Sequence, residues 1–258
     1  MRTLSLAALL CTAAAAIVSA QSLASRVTAS DGTVQVIYPS RPSACGDGQN
    51  YIADVFGHST YYNGGSGISS TNWRSDRPCV HGPARITATV IHGEVTRLRA
   101  NVGPPPASAR EDRSMTVSTA DASAWLGDLI NHGSARIASD AMLSLVLVDG
   151  PEPWSMLLQI ARNDARPLAT RRASLTWLAM GVTDHLGLSD QGDDSDNDEV
   201  KKQAVFALFQ RPKSESVPEL IDIVRTVKNP AVRRSAIFWL GQTGDMRAID
   251  LYADLLKQ

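Results

Sequence analysis

The sequence is short of aromatic residues. They make up 5% of its 258 residues, and only four are phenylalanine. That suits a helical core of Ala, Leu and Val better than a large β-sandwich. An excess of charge is also missing: 25 Lys and Arg stand against 26 Asp and Glu. The balance gives no global basic signal for nucleic acid and no acidic signal for disorder. Catalytic motifs are absent too. No GxSxG, P-loop, GxGxxG or HExxH occurs, and the histidines His58, His81, His92, His132 and His185 show no metal-ligand spacing. The reading therefore contains no catalytic, cofactor-binding or metal-binding residue and no cofactor.

Cysteine is scarce, with three residues. Cys11 lies inside MRTLSLAALLCTAAAAIVSA, which has a basic start at Arg2, an apolar run and a small-residue close at Val18-Ser19-Ala20. That is the layout of a secretory signal peptide cut after Ala20. Leu10 stands where an acylation signal needs a small residue, which argues against a lipid anchor. The apolar run is shorter than the roughly 20 residues of a membrane span, and no later run is long enough. Export to the periplasm or beyond puts Cys45 and Cys79 in an oxidising space, so they are expected to form a disulfide.

What is present divides into textures. Residues 21–101 read as a small β-rich region. GTVQVIYPS alternates at Val34, Val36 and Tyr38, and ARITATVIHGEVTRLRANV reads as two strands joined at His92-Gly93. Between the cysteines lies a Gly/Ser/Tyr-rich loop. Residues 102–117 carry three consecutive prolines and read as a linker. Residues 118–258 read as helices, with Ser118 or Thr119 as the first N-cap and Gly133 as a stop.

One phrase recurs in the helical part. IASDAMLSLV (137–146), TRRASLTWLA (170–179), VKKQAVFALF (200–209) and VRRSAIFWLG (232–241) align without gaps. Each places a small residue four before a leucine: Ala141/Leu145, Ser174/Leu178, Ala204/Leu208 and Ala236/Leu240. Such residues share a helix face, the small one admitting a neighbour and the leucine filling the next turn. Second amphipathic helices follow the later copies, in SVPELIDIVRTVKN and DMRAIDLYADLLKQ. Helix pairs of this size bury their faces by stacking, which makes a solenoid. After the second copy the partner helix is eroded into a loop insertion, 183–199.

The phrases RPLATRRASLTWLAM, DEVKKQAVFALFQRPKSESVPELIDIV and NPAVRRSAIFWLGQTGDMRAIDLYADLL resemble HEAT repeats, in the short HEAT-like form named from phycobilisome lyases. The whole layout is similar to that of exported bacterial HEAT-repeat proteins. The resemblance implies a mainly α fold: about four HEAT-like helix pairs in a short solenoid, behind a disulfide-stapled β-rich region.

Candidate partner-binding residues follow from the repeat. Arg171-Arg172, Lys201-Lys202 and Arg233-Arg234 hold equivalent places and would form a basic stripe. The alternative is a ladder in which Asp164, Asp198 and Glu199 consume them. Trp239 aligns with Ser144, Trp177 and Ala207, so packing does not obviously claim it. DDSDNDE (193–199) alternates acids, but Glu199 stands where a calcium loop needs glycine and Val205 where it needs glutamate, so a solvated acidic loop is the expectation. The functional expectation is a non-catalytic scaffold in the cell envelope. It would bind a protein or peptide, with no nucleic acid and no membrane span. The rival is a lyase or hydrolase using the Tyr/Ser-rich loop or the Asp184-His185 pair.

Overall fold

The computed structural model describes residues 21–53, 55, 60–62, 68–69, 79–105, 113–188 and 196–257. The leader 1–20 and the acidic positions Asp193 and Asp194 lie outside the described residues, as does most of the Tyr/Ser-rich loop. The chain opens with α1 (Leu23–Thr28), capped by the Ser22 hydroxyl accepting from the Ser25 amide, with Leu23 and Val27 buried one turn apart. This helix was not anticipated, because six residues are too few to show a helical period.

Two small sheets follow. β1 (Gly32–Tyr38), β2 (Cys45–Gly46), β3 (Tyr51–Ala53), β4 (Thr60–Tyr62), β5 (Ile68–Ser69), β6 (Val80–His81), β7 (Ala84–Ile91), β8 (Glu94–Val102) and β9 (Ser114–Thr116) are the strands. They pair in the orders β8-β7-β1-β9 and β5-β4-β3-β2-β6. The expected alternation holds. Val34, Val36 and Tyr38 of β1 and Ile86, Ala88 and Val90 of β7 are buried on one face, with Leu98, Ala100 and Val102 of β8 beside them. The β7–β8 hairpin turns at His92 and Gly93, both at positive φ. β9 lies in the stretch read as a proline-rich linker and pairs parallel to β1. Cys45 and Cys79 form the disulfide, their Cα atoms 5.2 Å apart.

The helices are α2 (Thr119–His132), α3 (Ala135–Val146), α4 (Trp154–Arg162), α5 (Leu168–His185), α6 (Asp196–Phe209), α7 (Lys213–Thr226), α8 (Pro230–Thr243) and α9 (Met246–Leu255). Ser118 caps α2 and Gly133 closes it, as the sequence suggested. Asn229 caps α8, with Pro230 in the first turn and Gly244 ending the helix at φ 64°. Gly82 ties the end of β1 to the turn before β7, and Leu147 and Ser144 tie it to the helices. Ser40 Oγ donates to the Gly82 carbonyl, the Arg41 amide to Leu147, and the buried Tyr38 hydroxyl to Ser144 at 2.6 Å.

All four repeated phrases are helical, on α3, α5, α6 and α8. Their stacking departs from chain order. In the first half the phrase helix closes its hairpin, with α3 packing on α2 and α5 on α4. Ser174 Oγ donates to the Leu157 carbonyl across the α4–α5 pair. In the second half α8 likewise packs on the α7 before it, and more closely than on the α9 after it, while α6 packs on the α7 that follows. The second copy lacks a following helix of its own among the described residues, α5 being followed directly by α6. α5 runs on to His185 and takes in the first residues of the segment read as a loop insertion.

The consequence is that α5 packs on α8, the fourth phrase helix, while α6 packs on the other side of α8. Gln242 Nε2 donates to Thr176 Oγ1 at 3.3 Å, and Arg234 Nη1 to the Leu188 carbonyl at 2.7 Å. Rising numbers on one helix therefore meet falling numbers on the other, so α5 and α8 are antiparallel. α6 and α8 are parallel, because Asp198 meets Asn229 and Phe206 meets Trp239. α6 is thus an outer helix of the stack. Val232 and Ala236 of α8 are buried, but their equivalents Val200 and Ala204 are exposed, Val200 at 69%. The small residue of the third copy meets solvent, not a neighbour.

Candidate functional site

The helix order decides the fate of the basic pairs. Arg171 forms an ion pair with Asp164, which precedes its own helix. Lys201 lies 3.2 Å from Asp198, whose carboxylate also accepts from the Asn229 side chain at 2.9 Å. Arg233 Nε donates to the Val224 carbonyl near the end of α7, at 3.0 Å. Arg234 is engaged by the Leu188 carbonyl, and Lys202 has a partner as well. Arg172 is exposed. The pairs therefore tie helices to their turns, and α8 stands between α5 and α6. A guanidinium on a carbonyl at a helix end satisfies an orphan acceptor and the helix dipole together.

Trp239 has a different environment. It is half-buried between α6 and α8, its ring centroid 4.7 Å from Phe206 and 4.8 Å from Phe209. Phe238 meets it edge-on at 5.0 Å. Aromatic pairs at such spacings contribute beyond their area. None of these four rings is fully buried, and Phe238 is 38% exposed. Three of the protein's four phenylalanines stand here. Trp125, Trp177 and Tyr252 are buried in the helical core elsewhere, whereas these four rings stand together at the surface between α6 and α8. Helical spacing favoured core positions for Phe206 and Phe238, with Trp239 the exception. Phe209 went unremarked, although its spacing from Phe206 was a usable signal.

The rival site is dispersed. Asp184 and His185 are exposed at the end of α5, and among the described residues no hydrogen bond joins them. Partial burial raises the Asp184 carboxyl above its ordinary value, with the Arg41 guanidinium opposing it. Arg41 itself is held by Glu152 in a bidentate pair at 2.8 and 2.7 Å. No serine, cysteine or threonine nucleophile is placed against this pair by the described contacts. Among the described residues no group of His, Cys, Asp and Glu is arranged to hold a metal ion. No helix there is long and apolar enough to cross a membrane.

A groove of about 590 Å³ opens elsewhere, beside the end of β1, lined by Ile37, Pro39, Arg41, Pro42, His81 and Thr116 among others. Its His81 Nδ1 lies 3.0 Å from the Ala44 carbonyl. If that nitrogen carries the proton, the other ring nitrogen is an acceptor.

Comparison with known proteins agrees with the helical part. No curated protein and no solved structure matches the chain. Residues 187–258, the segment that supplies α6 to α9, match the family model of HEAT repeats, so this part of the chain is similar to HEAT repeats and supports reading it as a helical repeat scaffold.

Proposed function

We propose that the protein is a non-catalytic scaffold that binds another protein or peptide through its HEAT-like helices, outside the cytoplasm. The observation that carries this reading is the aromatic surface of Phe206, Phe209, Phe238 and Trp239. Protein-binding hot spots are rich in large aromatic side chains set in a packed surround. Here Trp239 is clamped by its neighbours, and Phe238 offers its free edge to a partner. HEAT repeats commonly serve protein interaction, which supports the assignment. Arg172, exposed on α5, adds positive charge to a helix of the same stack, and a mixed-charge partner segment fits it. Arg171, Lys201 and Arg233 act in this reading as supports for that surface. The leader sequence and the Cys45–Cys79 disulfide support a location in the cell envelope or beyond.

The test is site-specific photo-crosslinking in the producing cells, with the reactive residue at 238 and a control at the exposed Asp222. We expect a reproducible adduct from 238 alone. Phe238→Ser should remove that partner's binding and cost about 1 kcal/mol or less in stability, because the ring is partly exposed. Equal labelling from both positions, or unchanged binding by the serine variant, would count against this surface.

A further inference from the structure

The outer face of the first sheet remains without a role in the scaffold reading. One face of β8-β7-β1-β9 is buried against helices; the register puts three rows of side chains on the other. Across the strands these rows are Thr116, Ile37, Arg85 and Asn101; then Ser114, Gln35, Thr87 and Arg99; then Thr33, Thr89 and Arg97. Arg97, Arg99, Thr33 and Thr116 are exposed, and Gln35, Thr87 and Thr89 are half-exposed. Glu94, at the hairpin end, is the acid that shares this face among the described residues. Asp140 of α3 feels Arg97 at longer range.

The arginines here are treated unlike many others in the molecule. Arg41, Arg162, Arg171, Arg211 and Arg247 each meet a carboxylate. Among the described residues Arg85, Arg97 and Arg99 form no ion pair. Arg85 is 6% exposed and donates to the Gly48 carbonyl at 2.6 Å, and Arg99 donates to the Gln49 carbonyl at 3.1 Å. Threonine hydroxyls and amides fill the places between. The Ile37–Thr116 end of the face leads directly into the 590 Å³ groove, which both residues help line.

We propose that this face and groove bind an acidic polysaccharide. Arg97 and Arg99 read its carboxylates, because a guanidinium fork matches a carboxylate with two parallel hydrogen bonds. Thr33, Gln35, Thr87 and Thr89 exchange hydrogen bonds with the sugar hydroxyls. Alternate residues on one strand lie about 7 Å apart, so the two arginines meet successive acid groups of an extended polymer. The groove takes the sugars beyond the sheet, at a size within the usual range of ligand sites. A nucleic acid fits less well, since the three rows hold no aromatic ring for base stacking. A peptide strand has no free backbone to pair with on the interior of a sheet face.

The experiment uses the full mature chain and a fluorescent oligogalacturonate, followed by anisotropy. Saturable binding is expected, displaced by unlabelled oligogalacturonate and weakly by polyglutamate or single-stranded DNA. The double variant Arg97→Gln/Arg99→Gln should weaken it about ten-fold with an unchanged melting temperature. If the double variant melts lower, Arg97→Gln alone is read, and Arg97→Lys/Arg99→Lys should recover only part of the affinity. No saturable binding, equal affinity in the glutamine variants, or equal displacement by all three polyanions would overturn the proposal. A failure here leaves the helical surface around Phe238 untouched, because the two sites share no residue.

Discussion

Replacing Cys45 and Cys79 together by serine is expected to lower the unfolding free energy of the region they staple by about 3–4 kcal/mol. The bond joins residues 34 apart in sequence, and a loop of that length loses substantial closure entropy from the unfolded chain. The local structure has little else to hold it. β2 and β6, which flank the bond, have two residues each, and β3 and β4 three each. Strands that short are marginal alone. Among the described residues the buried apolar side chains close to the staple in sequence are Ala44, Tyr51, Ile52 and Val55. Urea unfolding, followed by tyrosine fluorescence for this region and by helical circular dichroism for the rest, reads the effect. The account expects the first transition to move far more than the second. A loss under 1 kcal/mol would show that the short strands hold without the bond.

Gly241→Leu is expected to cost about 3 kcal/mol, at the upper end for overpacking a tight core. Gly241 lies on α8 where α5 and α9 both approach. A Cβ there would stand 3.0 Å from the Tyr252 hydroxyl, 3.4 Å from the Leu175 carbonyl and 3.5 Å from the Ala179 Cβ. The tyrosine cannot retreat freely, because its buried hydroxyl is bonded to the Ile237 carbonyl. Alanine asks for a shift of a few tenths of an ångström and should cost about 1 kcal/mol. Leucine forces the helices apart. Thermal unfolding of the two variants beside the parent protein reads both values. If Leu and Ala behaved alike, α5 and α8 would not be in close contact at this point.

The same glycine shows where sequence reading reached and where it stopped. VRRSAIFWLG announced a helix with a buried face, and Val232, Ala236, Ile237 and Leu240 are buried as the repeat implied. Caps were legible because Ser118 and Gly133 are local signals whose chemistry does not depend on the rest of the fold. Stacking order was not legible. Four equivalent phrases suggest four equivalent neighbours, and nothing within a phrase states which neighbour it meets. The relevant signal was the missing helix after the second copy, read as an eroded loop; there α5 is followed directly by α6 and packs instead on α8. For the same reason the basic pairs looked like a stripe. Their partners include the Val224 and Leu188 carbonyls, contributed by other segments, and such acceptors leave no trace in a repeat alignment. Trp239 was singled out by its alignment, but the phenylalanines beside it come partly from α6, across a contact set by tertiary packing.

The central structural claim is that α8 lies between α5 and α6 and runs antiparallel to α5. Short-arm thiol crosslinking of cysteines placed at Thr176 and Gln242 tests it directly, with Thr176 and Gln203 as the comparison pair. The account predicts rapid, near-complete crosslinking between 176 and 242, whose native side chains are hydrogen-bonded, and little between 176 and 203. Efficient crosslinking between 176 and 203 with none between 176 and 242 would mean that the helices stack in chain order, and would contradict it.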